Sequence, residues 1–267
     1  MVKILFLIVF TSLAYGISSL ELAKNIVNSS SKKTQLELLF ANQNYQDSQG
    51  NLDIEKISNM LKANSLLNLI LPTPETLRLN FKAQTDFILF FEIINDALNN
   101  AGYVYFIPTD LVLREGNIDY TIQVESQYIL DPGIFYRLLK ENSVYINNIK
   151  RIGLNDYEYD LNFDQVKLKT NANVNLNTAT FLEKPLQDYI VLLKGATSLK
   201  IDANDTDEWF PKILFLDKNL NLIKSIKSQT KNNHFSEFVP DGSVYVIISD
   251  VYNLDNIKRG LKIYLKK

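Results

Sequence analysis

The residues best placed to do chemistry sit in one loop. Asp202-Ala203-Asn204-Asp205-Thr206-Asp207-Glu208 stands directly before the only tryptophan, Trp209. Asp202, Asn204, Asp205, Asp207 and Glu208 are the hard oxygen donors that a calcium ion would take from such a loop. The glycine and the spaced glutamate of an EF-hand loop are missing, and a solvated acidic turn is the competing reading. The same stretch spells Asp-x-Asn-x-Thr, an acid-extended N-glycosylation sequon with Asn204 as acceptor. Asn28-Ser29-Ser30 is the plain form without the acid. Trp209-Phe210-Pro211 is either an aromatic shelf for a sugar polymer or a piece of hydrophobic core.

His234 is the only histidine, in the turn Lys231-Asn232-Asn233-His234 beside an expected strand. A Ser–His–Asp site would have to use it, and no G-x-S-x-G elbow supplies the serine. A zinc site built on imidazoles would need further histidines. The chain has no cysteine, which removes disulfides, thiol catalysis, cysteine–metal sites and a lipid-modified cysteine. Carboxylates are plentiful, but nothing marks two of them as a glycosidase pair. The reading is therefore of a protein that is not an enzyme and carries no cofactor.

Met1–Gly16, MVKILFLIVFTSLAYG, has a short positive start at Lys3 and an apolar run Ile4–Phe10. Ala14 and Gly16 then stand at the −3 and −1 positions of a cleavage site. This is the pattern of a secretory signal peptide over residues 1–16. No later segment is apolar for long enough to cross a membrane as a helix. The expected location is the periplasm of a Gram-negative bacterium. Net charge is −2, which gives no general pull toward nucleic acid.

The elements that must position these residues fall into two parts. Residues 17–50 read as a helical arm, with apolar positions at Leu20, Leu22, Ala23, Ile26 and Val27. Residues 51–169 read as an α+β domain of repeated αββ units. Asp53, Asp86 and Asp131 each stand as an N-cap before an apolar helix stripe, and Pro132 fits the first helical position. The three helix ends align as LKANSLLNLIL, LNNAGYVYFIP and LKENSVYINNI. Each gives a leucine, a polar turn needing a positive φ, and then a strand. In the first unit, strands are expected at Leu66–Leu71 and Thr76–Ala83, with a turn at Pro72-Thr73-Pro74. In the second, they are expected at Tyr103–Ile107 and Asp119–Glu125. The middle helix is apolar on more than one side. Its Ile88, Leu89 and Ile93 are either buried between neighbouring units, the favoured reading, or candidate interface residues; Trp209 and Phe210 are interface candidates as well.

The stretches ISNMLKANSLLNLIL, LRLNFKA, FFEIINDALNNAGYVYFIP and DLVLR resemble the small periplasmic domains of secretins and related envelope-ring proteins. That resemblance implies side-by-side packing in an assembly and no catalytic residues. From residue 170 to 267 the chain changes to short strands between turns, the rhythm of an all-β sandwich. KPLQDYIVLL, LFLDKNLNLI, FVPDGSVYVIIS and GLKIYL resemble the non-catalytic C-terminal accessory β-sandwiches of secreted bacterial proteases. The function expected from these readings is a periplasmic scaffold or adaptor of a cell-envelope assembly of the secretion, pilus or flagellar-motor type. Its partners would be other periplasmic or envelope proteins. The rival is a periplasmic module that binds peptidoglycan or another polymer through the Trp209 loop.

Overall fold

The computed structural model describes residues 17–41 and 43–267, so the signal peptide expected over 1–16 lies outside the described residues. The chain is a mixed α+β protein. In order, its elements are α1 (Ser19–Val27), α2 (Lys33–Leu39), α3 (Ile54–Ala63), β1 (Ile70–Gln84), α4 (Phe87–Asn100), β2 (Ile107–Arg114), β3 (Asn117–Tyr128), α5 (Pro132–Lys140), β4 (Tyr145–Arg151) and β5 (Asp156–Asn162). Eight further strands follow: β6 (Thr180–Leu182), β7 (Tyr189–Leu192), β8 (Ser198–Ala203), β9 (Pro211–Leu216), β10 (Leu222–Lys227), β11 (His234–Phe238), β12 (Tyr245–Asp250) and β13 (Leu261–Lys266). Two compact units result. The N-terminal unit holds the chain up to Gln84, Leu98–Lys140 and Tyr145–Phe163; the C-terminal unit holds Thr85–Ala97, Glu141–Val144 and Asp164–Lys267.

The N-terminal unit is built on one sheet of order β2-β3-β1-β5-β4. The β1–β5 pair is parallel and the other pairs are antiparallel. Alternation along β1 buries Leu77, Leu79 and Phe81. Phe81 stacks on Tyr159 of β5 at 5.3 Å between centroids, and Phe135 of α5 closes on both rings. An aromatic triad thus fixes α5 to the sheet, each ring contact adding to the area it buries. Helix α1 buries Leu22, Ala23, Ile26 and Val27 and packs along β4, where the Asn25 side-chain amide donates to Asn148 Oδ1 at 3.1 Å.

The caps fall where the aspartates stand. Asp53 accepts from Lys56 N at 3.0 Å, Asp86 from Ile88 N at 2.9 Å, and Asp131 from Gly133 N at 2.8 Å. The aligned helix ends also behave alike. Ser65, Gly102 and Ser143, the same position in each phrase, all take positive φ, at 56°, 95° and 54°. In the first two, the next residue's N–H returns to the helix's last leucine: Leu66 N to Leu61 O and Tyr103 N to Leu98 O, both 2.9 Å. That is the Schellman closure. Serine accepts a left-handed φ here because the closing bond and the leucine contact outweigh its cost of about 1–2 kcal/mol.

Two strand expectations are corrected. Pro72 and Pro74 do not turn the chain; they lie inside one 15-residue strand, β1. They occupy the place where the β1–β3 register shifts, between Ile70↔Tyr128 and Glu75↔Ser126. A residue without an N–H is tolerated there because the ladder is already interrupted. The first helix is therefore followed by one long strand, not two. In the second unit, Tyr103–Phe106 is not strand; β2 begins at Ile107 and runs through Arg114. A two-residue turn, Glu115-Gly116, with φ 50° and 79°, returns the chain into β3. Two positive φ values make this the I′ turn that matches the twist of a hairpin.

Asp131 ties α5 to α3. Its carboxylate meets Lys62 Nζ at 2.6 Å and Ser58 Oγ at 3.1 Å, besides capping its own helix. Burial pushes its pKa up, but the bonds from Lys62, Gly133 and Ser58 outweigh that and hold it below the ordinary aspartate value. A depressed folded-state pKa contributes stability that is complete above the unfolded value and lost as pH falls through the folded one. Asp131→Ala is expected to cost about 2 kcal/mol at neutral pH, from the lost cap and the weakened pair to a partly exposed lysine. Denaturant midpoints at neutral pH and near pH 3 check this: the gap between wild type and variant should shrink in acid.

The C-terminal unit contains a sandwich of two four-stranded, wholly antiparallel sheets, β10-β9-β12-β7 and β11-β8-β13-β6. Period-two burial on β8, β9 and β13 points Leu199, Ile201, Ile213, Phe215, Ile263 and Leu265 into a common core with Val246 and Ile248. Strand β13 lies between β8 and β6, interior to its sheet.

Candidate functional site

The acidic loop leaves β8, and its side chains go to separate partners. Asp202 and His234 face each other across the β8–β11 ladder, with His234 Nδ1 2.9 Å from Asp202 Oδ1. That hydrogen bond, with the negative charges of Asp202 and Asp205, raises the His234 pKa above its ordinary value. The histidine is an exposed cross-strand partner of an aspartate. Asn204 Oδ1 accepts from Thr206 N at 3.0 Å and Thr206 Oγ1 at 2.6 Å. Asp207 turns inward, is buried, and meets Arg259 Nη1 at 2.6 Å. Asp205 and Glu208 stay exposed. The five oxygen donors named for calcium are thus divided among separate engagements, and among the described residues no three acidic or histidine side chains converge on a point.

Asn204 is exposed on this turn, and its carboxamide is tied to the sequon threonine. Protein purified from its native host is expected to carry extra mass at Asn204, removed by Asn204→Gln. An intact mass equal to that of the bare chain would sink the idea.

Trp209 does not form a shelf. It is fully buried, its Nε1–H donates to Ser249 O at 2.9 Å, and its ring meets Phe235 edge-on at 6.4 Å. Phe210 is half-buried and packs edge-on against Tyr252 at 5.0 Å. On α4, Leu89 and Ile93 are buried, and Ile88 alone of the three is exposed.

An exposed apolar cluster beside a cleft lies in the N-terminal unit. Strand β3 outruns its neighbour. The β2–β3 ladder starts at Ile107↔Gln123, so Val124–Tyr128 has no strand beside it on that side. In place of a strand, the segment Ala101–Tyr105 faces it across a cleft of 440 Å³. Tyr103 forms the inner wall. Its hydroxyl donates to Tyr128 O at 2.6 Å, and burial raises its pKa far above the ordinary phenol value, so it remains a donor. The rim carries large apolar side chains. Tyr105 is 89% exposed, and Val104 and Tyr128 are each more than half exposed. Polar strand edge below and aromatic rim above is the layout that binds an extended peptide: main-chain bonds supply affinity and side-chain pockets supply choice.

Next to the cleft, all eight residues of β2 are exposed, including Leu111, Val112 and Leu113. β2 is the outer strand of its sheet. Sequence reading placed a strand at Tyr103–Ile107 and so missed both features. The available signal was the pair of runs around Glu115-Gly116, with apolar residues on both faces of the first. Compared with known proteins, the chain matches no family model, no curated protein and no solved structure.

Proposed function

We propose that this chain is a non-enzymatic scaffold or adaptor of a periplasmic cell-envelope assembly, of the secretion, pilus or flagellar-motor type. Its docking site is the cleft between Ala101–Tyr105 and Val124–Tyr128, and its partner is an extended apolar segment of another envelope protein. The observation that carries the reading is the exposed Val104, Tyr105 and Tyr128 around a cleft beside an unpaired strand edge. Apolar clusters of this kind mark interaction surfaces, and tyrosine is enriched in them. Polymer binding through the Trp209 loop loses its basis, because the indole presents no face to a ligand.

The test is site-specific photocrosslinking at Tyr105 in intact cells. A discrete protein adduct is expected, and Val104→Ser with Tyr128→Ser should lower its yield about tenfold while leaving the far-UV spectrum unchanged. No protein adduct, combined with retention of the protein on isolated peptidoglycan, would reject the scaffold reading.

A further inference from the structure

We infer that β2 pairs antiparallel with β2 of a second copy of this chain, joining two five-stranded sheets across a two-fold axis that passes through Val112. This surface is distinct from the cleft, and the inference does not depend on the cleft's occupant.

The argument begins with the phase of the open edge. In a hairpin closed by a two-residue I′ turn, the residues flanking the turn form a hydrogen-bonded pair. Here that pair is Arg114↔Asn117, followed by Leu113↔Ile118, Val112↔Asp119, Leu111↔Tyr120 and Asp110↔Thr121. Hydrogen-bonded and non-hydrogen-bonded pairs alternate along an antiparallel ladder. Arg114, Val112 and Asp110 therefore aim their backbone groups at β3. Leu113 and Leu111 aim theirs outward, at the free edge. A second strand can join only in registers that place outward groups opposite outward groups.

Three such symmetric registers exist on this strand, centred on Leu111, Val112 or Leu113. Only the register centred on Val112 sets Asp110 of one copy opposite Arg114 of the other, and it does so twice by symmetry. The same register pairs Leu111 with Leu113 of the other copy through backbone bonds and brings the two Val112 side chains together on the axis. Asp110 and Arg114 are exposed, and neither has an ion-pair partner among the described residues. Opposite charges facing each other in a non-hydrogen-bonded pair, where side chains approach most closely, favour pairing. This self-complementarity of charge identifies the occupant as a second copy. A generic partner strand has no reason to carry the same spacing reversed. Leu111 and Leu113 share a sheet face with the buried Ile118 and Tyr120, so pairing extends an existing apolar face across the axis.

Pro108 lacks an N–H and stands beyond the register shift at Thr109, so pairing of a second strand along the free edge stops there, although β2 stays paired with β3 as far as Ile107. The paired stretch is thus Asp110–Arg114 from each copy. So short a stretch falls below the ~1,200 Å² of a stable interface, and the association is weak and concentration-dependent.

Sedimentation velocity on the purified protein, from micromolar toward millimolar concentration, should show a monomer–dimer equilibrium. Asp110→Arg alone, or Arg114→Asp alone, should weaken it about tenfold, because each puts like charges opposite one another twice. The double exchange Asp110→Arg with Arg114→Asp should restore it. A second readout fixes the register. The chain has no cysteine, so Val112→Cys supplies a lone thiol at a position whose Cα–Cα distance across the axis, ~4.5 Å, suits a disulfide. It should crosslink under mild oxidation far faster than Leu111→Cys. A monomer at every concentration overturns the pairing and leaves the edge to a strand from a different protein. A dimer indifferent to the charge reversals, or equal crosslinking at Val112 and Leu111, overturns the register.

Discussion

Trp209→Ala is expected to destabilise the C-terminal unit by about 3–5 kcal/mol, the range for deleting a fully buried large aromatic side chain. The indole lies in the sandwich core beside Phe235, and its only polar atom is satisfied by Ser249 O at 2.9 Å. Truncation opens a cavity and also strands that carbonyl. The two losses overlap in one site and do not simply add. Trp209→Phe separates them. It keeps most of the volume and removes the donor, and should cost about 1–2 kcal/mol. Because Trp209 is the only tryptophan, its fluorescence in the wild type reports the C-terminal unit alone. Circular dichroism must follow the variants, and the chain's two units make a single two-state fit unsafe. A loss under about 1 kcal/mol for the alanine variant would put the indole at the surface and revive the sugar-shelf reading.

The second large effect is expected from one methyl group. Gly260 stands between the short helical turn Leu254–Ile257 and β13, with φ +81°. An added Cβ would lie inside the carbonyl oxygen of Leu182, on the neighbouring strand β6. The obstacle is backbone, so no side chain can swing away. Gly260→Ala is therefore expected to cost about 3 kcal/mol or more, from left-handed strain plus a forced separation of β6 from β13. Gly116→Ala is the control. It has a similar φ of +79° but open space around it, and should cost only about 1 kcal/mol. Equal urea midpoints for the two variants would show that the close approach at Gly260 does not exist.

Much of the local structure could be read from residue types. The capping aspartates Asp53, Asp86 and Asp131 act through contacts within three residues, which sequence displays directly. The positive φ at three aligned helix ends is likewise local, although serine rather than asparagine adopts it twice. In the sandwich, β7, β8, β9 and β13 show the period-two alternation that sequence displays, whereas β10 and β12 do not. What could not be read depends on partners distant in sequence. Whether Pro72-Thr73-Pro74 turns or runs straight is decided by β3, some fifty residues later, which holds the strand on either side of the prolines. Trp209 looks the same in sequence whether it faces sugar or core. Its fate is set by Ser249 and Phe235. The five acidic-loop donors dispersed because Arg259 claims Asp207 from 52 positions away and His234 claims Asp202. The exposure of β2 follows from its being last in the sheet order, a property of topology and not of composition.

Helix α1 has a consequence for how the chain comes together. Its apolar side rests along β4, and Asn25 bonds to Asn148, 123 residues further on. The parallel β1–β5 pair spans a similar loop, from Arg78 to Asp156. Closing loops of this size costs entropy before any contact repays it, and the rate of assembly falls accordingly. Helix α1 also touches α2 and α3, but its largest packing partner, β4, comes more than a hundred residues later, so its native burial is complete only once β4 has been made. The earliest of the described helices therefore completes its packing late, after an element far along the chain has joined it.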